Sequence, residues 1–150
     1  MNHSGAGDRP TLACANIGYQ HRFDMQIREK IKTYKAAFLS GKAFKRMEKG
    51  DYRSAAIILR KICREIPNEE NIEFLFYSLG QCHYKLGQLK TAIKWLSNSY
   101  DLYQKGIVTN TSLRYRRCYR DVVELYSKVL RISGNADTAD KIINDLDFGS

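Results

Sequence analysis

Proline is nearly absent from this sequence. Pro10 and Pro67 are the only two in 150 residues, so little in the chain interrupts a helix. Ten glycines, spread thinly, exclude collagen-like and long low-complexity stretches. Cysteine is present without a pairing pattern. Cys14, Cys63, Cys82 and Cys118 show no C-x-x-C spacing, which excludes a zinc ribbon or finger. Cys82 and His83 are adjacent but point about 100° apart on a helix and do not share a metal. The four thiols read as reduced, mostly buried residues of a reducing compartment. No run approaches the roughly 18 apolar residues of a membrane span, and no basic-plus-apolar leader is seen. The expectation is a soluble, cytoplasmic domain.

Catalytic signatures are missing too. There is no G-x-x-x-x-G-K-[ST] loop, no G-x-G-x-x-G and no nucleophile elbow. Asp147-Phe148-Gly149 spells the kinase metal tripeptide, but no glycine-rich loop or H-R-D segment accompanies it. Of the three histidines, His3 and His21 lie near the start, and His83 reads as a packed residue. The chain is therefore expected not to be an enzyme, with no catalytic residue, cofactor or metal.

What is present is an ordinary globular mixture, 43% hydrophobic and 27% charged, with a net charge of +9. The charge is uneven. Residues 41–66 carry eight Lys/Arg against three Asp/Glu, residues 101–120 five against one, and residues 121–150 three against six. Two basic clusters and an acidic end make a surface with local sign.

Periodicity is helical throughout, and no strand-like alternation competes. Residues 1–23 hold Gly5, Gly7, Pro10 and Gly18 and read as a flexible arm. Asp24 is a plausible N-cap for a helix whose Ile27, Ile31, Tyr34 and Phe38 share a face and which runs to Lys49. A second helix, with Tyr52, Ala55, Ala56, Leu59, Ile62 and Ile66, ends at Pro67. Further helices are expected over Ile72–Leu86, Leu89–Gln104, from Thr111 or Ser112 to Gly134, and over Ala136–Leu146. The domain spans 24–146, with a tail at 147–150.

Three turns repeat one pattern: KGDYRSA, LGQLKTA and SGNADTA. Each has Gly (50, 87, 134) five residues before Ala (55, 92, 139), and a small residue (Ala43, Gly80, Ser127) seven before the Gly. Glycine suits the left-handed end of a helix, and small residues let antiparallel helices approach closely.

With Phe76, Leu79, Gly80, Tyr84, Gly87, Ala92 and Leu96 the second unit resembles the tetratricopeptide repeat (TPR) family. The first unit is similar through Ala43, Gly50, Asp51, Tyr52, Ala55, Leu59, Ile62 and Pro67, and the third through Gly134, Asn135 and Ala139. The resemblance covers about residues 36–146. It implies an all-α fold, a right-handed stack of antiparallel helix hairpins with about six helices. The repeat alanines lie 37 and 47 residues apart, against a family period of about 34. The excess in the second gap is placed at 107–119, lengthening the fifth helix.

The resemblance further implies a concave groove lined by the first helix of each hairpin, which holds a peptide or a partner's helix. Its candidates are Phe44, Met47, Tyr77, Gln81 and Tyr84. The carboxylate clamp known in one TPR subgroup would fall on Ser40, Phe44, Ser78, Asp121 and Leu125, none of them Lys, Arg or Asn, so that mode is not expected. The basic clusters are candidates of their own: Lys42, Lys45, Arg46 and Lys49 on one helix face, and Arg114, Arg116, Arg117 and Arg120 interleaved with Tyr115 and Tyr119. Arginine forks pair with carboxylates or phosphates. The reading is a scaffold or adaptor for a protein or peptide partner, acidic in one version, with self-association open. A small secretion-type chaperone and a basic RNA or polyanion binder are the alternatives.

Overall fold

The computed structural model describes residues 12–67 and 70–147, with side chains for 17–67 and 70–146. Six helices make up the described chain: α1 (Leu12–Glu48), α2 (Tyr52–Glu65), α3 (Ile72–Lys85), α4 (Leu89–Gly106), α5 (Leu113–Ile132) and α6 (Ala136–Asp147). Two compact units are distinguished, Met1–Lys35 and Ala36–Ser150.

In the first unit α1 is helical from Leu12. This corrects the expected arm over 1–23: residues 12–23 are helix, and Asp24 lies inside it rather than capping it. Gly18 costs a helix only about 1 kcal/mol, and no proline lies between Pro10 and Pro67 to stop it. Residues 1–11 and 148–150, where the rest of the arm and most of the tail fall, lie outside the described residues. Ile27, Ile31 and Tyr34 are exposed.

The second unit is built from three hairpins. Three residues join the helices in each: 49–51, 86–88 and 133–135. The central glycines Gly50, Gly87 and Gly134 have φ of 76°, 73° and 90°, the left-handed conformation that a side chain disfavours. In each turn the N–H after the glycine reaches back five residues to a helix carbonyl: Asp51 to Arg46 (2.9 Å), Gln88 to His83 (2.9 Å) and Asn135 to Leu130 (2.8 Å). The turn thereby satisfies carbonyls that the helix end leaves open. The same three residues then accept from the repeat alanines, Ala55 (3.1 Å), Ala92 (2.9 Å) and Ala139 (3.2 Å), to start the next helix.

The small residues sit where the helices touch. Ala43, Ala55, Ala92 and Ala139 are fully buried. A Cβ on Gly80 would lie 2.5 Å from Leu96 Cγ, so α3 and α4 pack with no space for one. Two clusters form the core. The first joins Ala36 and Ala43 to Ala55, Leu59, Ile62, Leu75, Leu79 and Cys82, with Trp95 packed against it and 5.4 Å from the Phe76 ring. The second joins Leu96, Tyr100, Tyr103, Tyr119, Val122, Tyr126, Val129 and Ile142. Burial pushes the Cys63 and Cys82 thiols up to about 11.

His83 is buried and fully bonded. Its Nε2 lies 3.2 Å from an Arg60 nitrogen and its Nδ1 2.6 Å from Gln88 Oε1. Arginine only donates, so Nε2 accepts and Nδ1 carries the proton. The ring thus ties α2, α3 and the second turn together.

The long second gap resolves differently from the sequence expectation. The linkers before α3 and α5 are equal, six residues each (66–71 and 107–112), while α4 has 18 residues against 14 in α2, and α5 has 20 against 14 in α3. The extra length is therefore four residues of α4 and six of α5, rather than an insert in the fifth helix alone. Tyrosines fill the added contact: Tyr103 packs against Tyr115 with tilted rings (4.9 Å between centroids) and Tyr100 stacks on Tyr119 (5.9 Å).

Replacing Gly80 by Ala should cost stability, because strain of about 1–3 kcal/mol exceeds the roughly 1 kcal/mol gained in helix propensity. Gly41→Ala, in a helix position where a Cβ meets nothing within 4 Å, should stabilise by up to about 1 kcal/mol. Urea unfolding of both variants checks the contrast.

Candidate binding groove

The first helices of the hairpins present one side each to a common groove in the second unit. On α1, a turn of about 100° per residue sorts three faces. Ala36, Leu39, Ala43 and Met47 join the first core cluster. Ala37, Ser40 and Phe44 line a cavity of about 440 Å³. Lys42, Lys45, Arg46 and Lys49 lie on the far side of the core stripe, with Lys42 roughly 160° around from Phe44.

The same cavity is lined by Glu70, Asn71, Glu73, Phe74 and Leu75 at the start of α3, and by Tyr103, Asn110, Ser112, Arg114, Tyr115 and Cys118. Its second wall is therefore the lengthened end of α4 and α5. Ser112 caps α5 by accepting from the Tyr115 N–H at 3.3 Å. Gly106 leaves room for the Tyr115 hydroxyl, which occupies the place a Cβ would take. Ser99 Oγ donates to the Glu73 carbonyl at 2.7 Å and ties α4 to the α3 end.

Aromatic rings continue from the cavity along the groove. Phe44 lies 5.7 Å from Phe74, and Phe74 6.1 Å from Tyr77. Burial raises the Tyr77 hydroxyl pKa, helped by the carboxylates of Asp121 and Glu124. Farther along, the Lys128 ammonium sits 5.5 Å over the Tyr84 ring, a cation–π contact.

Of the sequence candidates, Phe44, Tyr77 and Arg114 come together with the groove, and Gln81 and Tyr84 follow on the same α3 ridge as Phe74. Met47 packs against the first core, and Tyr77 and Tyr84, though on the groove side, are also half-buried against the second. Phe74, Tyr103, Tyr115, Cys118, Glu70 and Glu73 were not singled out. Phe74 was findable, standing three residues before Tyr77 and seven before Gln81.

The basic residues do not form one patch. Arg46 Nη1 bonds Asp51 Oδ2 at 3.2 Å, bent to its own turn, while Lys42, Lys45 and Lys49 stay exposed. Arg116 lies roughly 160° around α5 from Arg114, and Arg117 and Arg120 fan over the arc between. Of the tyrosines interleaved with them, Tyr119 is buried and Tyr115 is half-buried, its ring tilted against Tyr103 on the cavity side.

Among the described residues no group of three or more His, Cys, Asp or Glu gathers as a metal site, and no helix is long and apolar enough to cross a membrane.

An all-helical stack with glycine turns, small contact residues and an open aromatic groove defines a helical-repeat protein of the TPR type. The chain belongs to the family described as anaphase-promoting complex, cyclosome, subunit 3, whose model matches residues 48–132. The match takes in α2 to α5, including both walls of the central hairpin. Repeat families of this type are typically non-enzymatic scaffolds for other proteins. No curated protein and no solved structure matched the chain.

Asp51 provides a pH test of the first turn. Its carboxyl accepts from the Ser54 N–H at 3.2 Å, and hydrogen bonding to Ser54, with the Arg46 guanidinium nearby, holds its pKa below the usual value. A depressed carboxylate stabilises the fold above its unfolded pKa, and that stability is lost as pH falls through the folded pKa. Asp51→Ala should therefore melt earlier than the native chain at pH 7, with the gap closing as pH falls below the ordinary carboxylate range in thermal melts followed by circular dichroism.

Proposed function

We propose that this chain is a protein-interaction scaffold whose groove holds a short segment of a partner. The ladder of rings from Phe44 through Phe74 to Tyr77 carries this reading. It offers rigid apolar surface along a groove, and such rings bind with little loss of side-chain entropy. The cavity beside it, lined by Glu70, Glu73 and Arg114 among its apolar residues, suits a segment with one apolar anchor and mixed polar flanks. The basic residues Lys42, Lys45, Lys49, Arg116 and Arg120 lie away from the cavity, so charge does not select an acidic segment there. Burial of Tyr119 and the turn of Tyr115 toward the cavity weigh against the polyanion alternative, which needs exposed rings beside the arginines for stacking.

Selecting a displayed peptide library on the full chain tests the reading. Recovered peptides should lose about tenfold in affinity, roughly 1.4 kcal/mol, on Phe74→Ala or Phe44→Ala. They should bind unchanged to the pair Arg116→Glu and Arg120→Glu. Peptides indifferent to Phe44 and Phe74, or lost on the arginine reversals, would remove the groove from the proposal.

A further inference from the structure

The first unit carries a stripe of apolar side chains that the groove reading does not use. Ile17 (67% exposed), Phe23 (62%), Ile27 (40%), Ile31 (59%) and Tyr34 (77%) all face solvent. Scattered exposed apolar residues are ordinary, whereas these recur in register. In a seven-residue helical repeat, 17, 24 and 31 take the first core position and 20, 27 and 34 the fourth, with Phe23 on the edge of the seam. Ile27, Ile31 and Tyr34 hold the continuous part of that seam.

We propose that residues 17–35 of α1 dock an acidic amphipathic helix of a second protein, forming a two-stranded, coiled-coil-like pair. The charges beside the seam select the occupant. Arg28 flanks it on one side and Lys30 on the other. The segment 17–35 holds five Lys/Arg against two Asp/Glu. One of those acids, Glu29, is already bonded to Lys32 at 2.9 Å, on the side away from the seam. A second copy of the same helix would bring Arg28 and Lys30 to the seam again, with no acid at a flanking position to meet them. A partner helix with Glu or Asp at its flanking positions meets opposite charge along both edges.

Asp24 separates this reading from adsorption to a lipid surface. It occupies a core position between Ile17 and Ile31. A carboxylate within the apolar face is repelled by anionic headgroups. Gln20 is the other polar core position; in a helix pair such positions cost stability but fix the register. The partner residue facing Asp24 is then Asn or Lys.

The test uses the full chain and two synthetic four-heptad peptides. Both have Leu at the core positions and one core Asn; one carries Glu at the flanking positions and the other Lys. By fluorescence anisotropy the Glu peptide should bind at least tenfold tighter than the Lys peptide. Ile31→Ser should weaken it at least tenfold, and Arg28→Glu with Lys30→Glu should reverse the preference. Thermal melts of these variants should match the native chain, since the substituted side chains are exposed. Equal affinity for both peptides, or binding of neither, overturns the proposal. So does a dimer in sedimentation that Ile31→Ser disrupts, which would give the seam to a second copy. Cosedimentation with phosphatidylserine vesicles abolished by the same substitution, without peptide binding, would give it to a membrane.

Discussion

Gly80 has no Cβ, and Leu96 fills the place where one would stand. That contact sets the distance between α3 and α4, and with it the alignment of everything on either side. The helices can close on each other only because the turn between them brings them back at once. Gly87 supplies the left-handed residue, and Ala92 starts the return helix without bulk. Ala43 and Ala55 in the first hairpin, and Ser127 and Ala139 in the third, are buried small residues at the same repeat positions as Gly80 and Ala92. The groove is a by-product of this spacing. Pairs packed tightly along one side leave the neighbouring ridge of α1 and α3 only partly covered, and the half-buried Phe44, Phe74 and Tyr77 stand on that ridge.

The repeat was legible because its demands are local. A left-handed residue needs glycine and a close approach needs a small side chain, so both leave marks at fixed spacing. The helix boundaries followed from Pro67 and the three glycines. The start of α1 did not, because Asp24 offers a cap and Gly18 a break, yet neither is strong enough to stop a helix that no proline interrupts. Only part of the groove was legible. Phe44 and Tyr77 were found from the family pattern, whereas Tyr103, Tyr115 and Glu73 reach it from α4, α5 and the end of α3. Their meeting depends on how ten extra residues are shared between two helices, and spacing between alanines gives only the sum.

The net charge followed a similar course. Clusters along the sequence suggested basic patches; helical geometry keeps Lys42, Lys45 and Lys49 on one exposed face and divides the arginines of α5. Arg46 turns back to Asp51, Arg114 enters the groove, and Arg116 leaves on the other side of α5. Charge density in a sequence counts residues, whereas recognition depends on the face from which they project. The groove consequently carries both signs, with Glu70 and Glu73 near Arg114, in a chain that is basic as a whole.

The two cores also differ in their light-absorbing side chains. The one tryptophan, Trp95, packs against the first cluster beside Phe76, while Tyr100, Tyr103, Tyr119 and Tyr126 belong to the second. Indole emission therefore reports on the packing of the first two hairpins, and tyrosine absorbance is weighted toward the last two. An unlabelled sample thus holds separate optical signals for neighbouring parts of the stack, and their midpoints tell whether the repeats come apart together or one after another.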